Sequence, residues 1–172
     1  MKNQMDPFCS IHPKEDNLAD WAIYWPQYRV ESGADGEPIV GWLTNREWLV
    51  NRLQHGDRIW LFIPGNYCGD TKKPYQGYLA QLLMVEDWEQ YSPEEMETHG
   101  SRYHIQGIEE RCILVRPPIC VDHLLRRPGT DPFQHIGVAR QTPFELESQQ
   151  VDALLWLLQN NQPEVYRLAV GS

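Results

Sequence analysis

The sequence predicts an α+β domain: a curled mixed or antiparallel sheet, or a barrel, with short helices at its periphery. Three observations predict it. Dense aromatic and β-branched runs recur along the chain, as in "DWAIYWPQYRV", 20–30, and "ERCILVRPPICV", 110–121, the composition that favours strands. The extended runs 58–63 and 75–88 are separated by a loop with no helix, which argues against parallel units joined by crossover helices. Turn-forming Gly and Pro are spread evenly, which suits many short elements.

The chain has 172 residues, enough for one domain with a sizeable core. Residues 1–17 are polar and read as a flexible N-terminal arm, leaving 18–172 as the single domain. The strand candidate 20–30 is interrupted by Pro26, which implies an edge, a bulge or an end. A turn-rich loop, 31–38, follows. Thr44 then reads as a helix cap with Glu47 at the reciprocal third position. Trp48, Leu49 and Leu53 form the apolar flank of that helix. Gly56 ends it in a left-handed conformation, and Asp57 turns the chain into the strand 58–63.

The loop 64–74 leads to the strand 75–88, where Gly77 marks a bulge or a close backbone approach. "SPEEMETHG", 92–100, opens as a capped helix, with Ser92 as cap, Pro93 at the first position and Glu95 at the third. Residues 101–108 read as extended, and 110–121 as the third long strand. One helical turn is expected at 121–125 and turns at 127–137. Thr142-Pro143 with Glu145 reads as a capped turn. The last helix falls within 142–160, its stripe built on Val151, Leu154, Leu155 and Leu158 with Trp156 and Leu157 widening it. Residues 164–170 add a final strand.

The net charge is −9, which excludes a uniformly basic duplex-binding surface. A local patch or a pocket for one base stays open, and "LLRRP", 124–128, is the densest basic spot. Four Cys stand at 9, 68, 112 and 120 without a C-x-x-C pair, so neither a disulfide framework nor a structural zinc is expected. Cys9 and His12 make a weak metal pair on a surface arm. No run reaches the length of a membrane helix and no apolar leader is visible. These features predict a soluble, cytoplasmic protein with no cofactor and no membrane partner.

The run from 44 to 88, extended to 20–160, resembles the EVE domain family within the PUA-like barrels. The resembling features are the aromatic strand Trp21 to Trp25, the helix at 44–55, the Gly56-Asp57 turn and the aromatic strand 58–63. The loop 64–74, the strand Gly77 to Val85, the arginine-bearing stretch Arg111 to Arg116 and "QTPFEL", 141–146, continue the likeness. The resemblance implies a PUA-like fold and non-catalytic binding of a base, modified or unmodified, in RNA or DNA.

An extruded base needs a π-surface to stack on and a hydrogen-bonding edge reader. Trp21, Trp25, Trp42 and Tyr67 are the candidate surfaces, and Asn66 the candidate reader. Trp21 and Trp25 are four apart and share one strand face. Arg111, Arg116, Arg126 and Arg127 are the candidate phosphate contacts. Trp60, Trp48 and Trp156 are assigned to the core, and Trp88 to a rim. Against this stands the ordinary use of Trp and Tyr as core residues.

A Cys/His hydrolase is the catalytic alternative: Cys68 with His55 or His104, oriented by Asp57 or Asp70. No strand-to-helix elbow accompanies Cys68, and no phosphate-cradling loop or H-E-x-x-H run is present. A protein-interaction or structural domain is the third alternative, supported by the acidic total and the arm.

Overall fold

The computed structural model describes residues 17–24, 41–64, 77–108, 111–121, 143–161 and 164–167. Within them the chain runs β1 (Asp20–Tyr24), β2 (Gly41–Thr44), α1 (Glu47–Val50), β3 (Arg58–Pro64), β4 (Gly77–Gln90), α2 (Pro93–His99), β5 (Tyr103–Gly107), β6 (Ile113–Cys120), β7 (Phe144–Glu145), α3 (Ser148–Asn161) and β8 (Glu164–Arg167). The strands form one mixed sheet in the order β2-β5-β4-β3-β1-β7, with β6 paired to β4 and to β8. This is the expected architecture of a curled mixed sheet with short peripheral helices.

The long strand β4 organises the sheet. It pairs antiparallel with β3 from Gly77 to Met84. β6 lies against its first half, between Tyr78 and Leu82, and β5 against its second, between Val85 and Gln90. The neighbouring antiparallel placement of 58–63 and 75–85 is therefore present. β1 pairs parallel to β3, with Asp20 opposite Arg58 and Tyr24 opposite Phe62, which makes the sheet mixed.

Bulges bend β4, though not at Gly77. Gly77 is in regular register with Pro64, and the breaks skip Ala80 and Glu86. Extra residues at such points raise the local twist, which lets β4 carry β5 and β2 around the sheet. On β6, residues 115–118 fall between the pairs Leu114–Gln81 and Ile119–Leu79. That interval contains Pro117 and Pro118, which have no N–H for a ladder.

The two sheet faces carry separate cores. Ala22, Trp60, Phe62 and Leu82 pack with Val151, Leu154, Leu157 and Leu158 of α3. Trp21, Ile23, Ile59, Leu61 and Leu83 pack with Leu49, Val50 and Leu53 around α1, and with Trp42 and Ile105 of the curled edge. Cys112 is fully buried there, as expected of a Cys that packs as a small hydrophobe.

Two short strands depart from the expected order. Residues 41–44 pair with β5, Thr44 facing Tyr103. Thr44 is thus a strand residue, and α1 starts only at Glu47, with Arg46 at its cap position and no side-chain cap bond. Phe144 and Glu145 pair with Ala22 and Trp21, so Glu145 serves β7 rather than a helix cap. In α3 the capping is instead Gln150 Oε1 accepting from Glu147 N at 3.0 Å.

The α2 signal reads as expected. Ser92 Oγ accepts from Glu95 N, Glu95 Oε2 accepts from Ser92 N at 2.8 Å, Pro93 opens the helix, and Gly100 closes it at φ 71°. Trp48 and Trp156 overturn the core assignment: they are 38% and 61% exposed. α1 is a single turn, so only Leu49, Val50 and Leu53 reach the core, while α3 uses the Leu154–Leu158 side and leaves Trp156 outward. The expected turn at 121–125 and turns at 127–137 lie outside the described residues, apart from Val121, which is buried.

Candidate functional site

A four-residue helix is not stable alone. α1 is held by burial of Leu49, Val50 and Leu53, worth about 1.5–3 kcal/mol for each fully buried side chain. The chain on either side is tied down. Asn45 Oδ1 accepts from Arg102 N at 2.8 Å. After α1, Asp57 accepts from Ala19 N at 2.8 Å and from Gln54 N at 3.0 Å. Gly56 N donates to Val85 O, and Val85 N to Asp57 O, both at 2.8 Å. Gly56 takes φ 92°, a left-handed conformation that glycine adopts at no steric cost. The Gly56-Asp57 turn therefore knots β1, α1, β3 and β4 together at one end of the sheet.

On that anchored turn α1 presents Trp48 outward. Its ring meets the Trp21 ring edge to face, centroids 6.1 Å apart and planes at 64°. The Arg52 guanidinium, from the turn that follows α1, lies 5.7 Å from the Trp48 ring centroid. Cation–π contacts at exposed sites contribute about 0.5–1 kcal/mol. Below, Trp21 is buried, and its indole Nε1 has no hydrogen-bond partner. An unsatisfied buried donor costs about 1–3 kcal/mol. The arrangement offers a partly exposed indole ring, a cation over it and an unspent donor.

The sequence-predicted site residues fall in three groups. Trp21 and Trp42 lie in the same core cluster, 5% and 8% exposed. Trp42 sits opposite Ile105 in the β2–β5 pairing. Arg111 is exposed beside β4, its Nη1 3.8 Å from Met84 Sδ, and Arg116 is part of β6, where its backbone pairs with Glu164. Trp25, Asn66, Tyr67, Arg126 and Arg127 lie outside the described residues, as does the side chain of Arg116. Trp48 and Arg52, which the structure brings together, are not among the sequence-predicted candidates, because the apolar flank with Leu49 and Leu53 assigns Trp48 to the core.

The groups named for the catalytic alternative have other tasks. Asp57 receives backbone N–H groups, as above. His55 Nδ1 donates to Glu86 O at 2.9 Å, and His104 Nδ1 lies 3.2 Å from Glu89 Oε1. Cys68 and Asp70, like Cys9 and His12, lie outside the described residues. No helix among the described residues is long and apolar enough to cross a membrane.

By sequence, neither a protein-family model nor a curated protein matches the chain. By structure it is similar to a hypothetical protein from Leishmania major, at TM-score 0.51 and 11% identity over 87% of this chain and 99% of that one. It also matches a mutant of the ZmASCH protein from Zymomonas mobilis, at TM-score 0.47 and 14% identity over 81% and 96% of the two chains. A structural-genomics target from Agrobacterium tumefaciens follows at TM-score 0.46 and 10% identity over 81% and 92%. The Leishmania match shows a shared chain fold. No role of this protein follows from it or from the two lower-scoring matches.

Proposed function

We propose that the domain is EVE-like in role: it binds a base, modified or unmodified, in a single-stranded nucleic acid, and does no chemistry on it. The observation that carries this reading is the exposed Trp48 ring with the Arg52 guanidinium over it. Among the described residues, the other Trp and Tyr rings that carry a guanidinium, Trp60 and Tyr103, are buried. A base stacked on Trp48 gains about 1–3 kcal/mol, and Arg52 is placed to meet the adjoining phosphate. Arg111 stands on a different element and need not serve the same strand.

Fluorescence titration against single-stranded and duplex oligonucleotides, modified and unmodified, tests the reading. Binding that quenches tryptophan emission and weakens about 5- to 150-fold in Trp48→Ala supports it, the range equivalent to the stacking energy. Trp156→Ala, at an exposed ring that meets no guanidinium among the described residues, is the control and should bind as the parent does. Absence of binding at tens of micromolar protein across the panel ends the proposal. The exposed Trp156 face of α3 would then favour a protein-interaction role.

A further inference from the structure

Trp21 Nε1 is, among the described residues, the buried side-chain polar atom left without a hydrogen-bond partner. Native cores satisfy nearly all such groups, so each exception asks for a reason. Trp60 of the neighbouring strand shows the ordinary solution: its Nε1 donates to Asp20 Oδ1 at 2.9 Å. Trp21 belongs to the core cluster of Leu49, Leu53 and Ile59, and no acceptor reaches its Nε1. The ring packed on Trp21 at the surface is Trp48, and Trp48 is carried on a single helical turn with more than a third of its area in solvent.

We infer that the Trp21 indole N–H is the edge-reading donor of the base site, and that Trp48 is its movable cover. The inference rests on the base-binding reading above and names the chemistry of that same site. On binding, the Trp48 ring swings off Trp21 and stacks on the incoming base. An acceptor on the base edge, a carbonyl oxygen or a ring nitrogen, then receives the Trp21 N–H. The stacking face is indifferent to base identity, because every base has one. The single donor is not, because it accepts only ligands that present a lone pair at the right edge. A ligand that merely stacks would have to leave the N–H buried and unpaired.

The experiment compares two short single-stranded DNAs, one carrying thymine and the other its non-hydrogen-bonding isostere, difluorotoluene. Titrations of nitrogen-15-labelled protein follow the Trp21 indole N–H signal, assigned by through-bond experiments on the parent protein. The expected result is a larger downfield displacement of that signal with thymine than with the isostere, which removes the Trp48 ring from Trp21 but supplies no acceptor. Thymine should bind about 2- to 12-fold tighter, the span of one net hydrogen bond. Trp21→Phe, which keeps a ring and loses the donor, should bring the ratio to about one. A Trp21 signal unmoved while the DNA binds through Trp48 overturns the inference and leaves the base-binding reading standing. So does a thymine preference that survives in Trp21→Phe. Failure of the parent protein to bind either DNA removes both. The parent's signal decides the matter alone should Trp21→Phe not fold.

Discussion

Arg58 grips the buried carboxylate of Asp20 with two nitrogens, Nε to Oδ1 at 2.6 Å and Nη2 to Oδ2 at 3.1 Å. The two residues are direct partners across the parallel β1–β3 pair, and Trp60 Nε1 adds a third bond to Oδ1. A buried pair of this kind is strongly destabilising to break from one side only. Asp20→Ala should lower unfolding free energy by about 3–5 kcal/mol, because it strands the Arg58 charge and the Trp60 donor together. Replacing both, Asp20→Leu with Arg58→Met, should regain part of that loss. The double variant should stay about 1–3 kcal/mol short of the parent, since Trp60 still lacks its acceptor. Urea unfolding of the three proteins measures this. An unchanged midpoint for Asp20→Ala would show that the pair contributes nothing.

A glycine series separates two kinds of constraint. A Cβ on Gly41 would stand 2.7 Å from the Ile105 carbonyl oxygen and 2.5 Å from His104 Nε2. The carbonyl belongs to the sheet backbone and cannot yield without loosening β2 from β5. A Cβ on Gly56 meets only Leu18 Cδ1 at 3.0 Å, the free end of a flexible side chain, but the backbone is left-handed there. Gly56→Ala should therefore cost about 1–2 kcal/mol from conformation. Gly41→Ala should cost about 1–3 kcal/mol from crowding and should raise amide exchange in β2 and β5. Equal exchange rates in Gly41→Ala and the parent would show that the strand edge absorbs the methyl.

Helix α2 has no buried residue, so its ends and one ring stack hold it in place. The capping box supplies the start, and Tyr91 stacks on His99 at 4.8 Å between centroids. Ser92→Ala should destabilise the helix by about 1 kcal/mol. The loss should stay local, because no core contact transmits it. Amide exchange at Met96 and Gly100, whose N–H groups bond to Ser92 O and Met96 O, should quicken about fivefold, the rate equivalent of that energy. The global melting temperature should barely move. A fall of many degrees would mean that α2 is coupled to the sheet by contacts its exposure does not suggest.

What the sequence made legible was local. The Ser92-Pro93-Glu95 box, the Gly56-Asp57 turn and the apolar run of β3 each announce themselves within a few residues. What it hid depended on partners far along the chain. "GWLT" reads as an approach to a helix until residues 103–106 arrive to pair with it. "FE" at 144–145 is a strand only because β1 lies beside it. Asp20 and Arg58 each stand at the start of an apolar strand, and only the parallel register brings them together. Trp48 went to the core because it adjoins Leu49, yet one residue is 100° around a helix, and a single turn buries one side. The orphaned Trp21 donor is a property of packing that periodicity does not carry.

Three tryptophans should rank by their surroundings when truncated. Trp60 is fully buried and bonded to Asp20. Trp60→Ala should cost about 3–5 kcal/mol in lost burial and cavity. Trp48 loses an edge contact with Trp21 and its half-covered area, so Trp48→Ala should cost about 0.5–1.5 kcal/mol. Trp156 projects from α3 with 61% of its area in solvent, and Trp156→Ala should stay within about 0.5 kcal/mol of the parent. For a domain of this size each kcal/mol moves the melting temperature by about 2–4 °C, so thermal unfolding resolves the first step of the ranking and denaturant titration the second. The middle value carries the functional argument. A Trp48→Ala loss as large as that of Trp60→Ala would make the ring a prop for Trp21, unable to leave it for a ligand. A small loss with intact folding leaves Trp48 free to exchange one aromatic neighbour for another, as a cover over the Trp21 donor must.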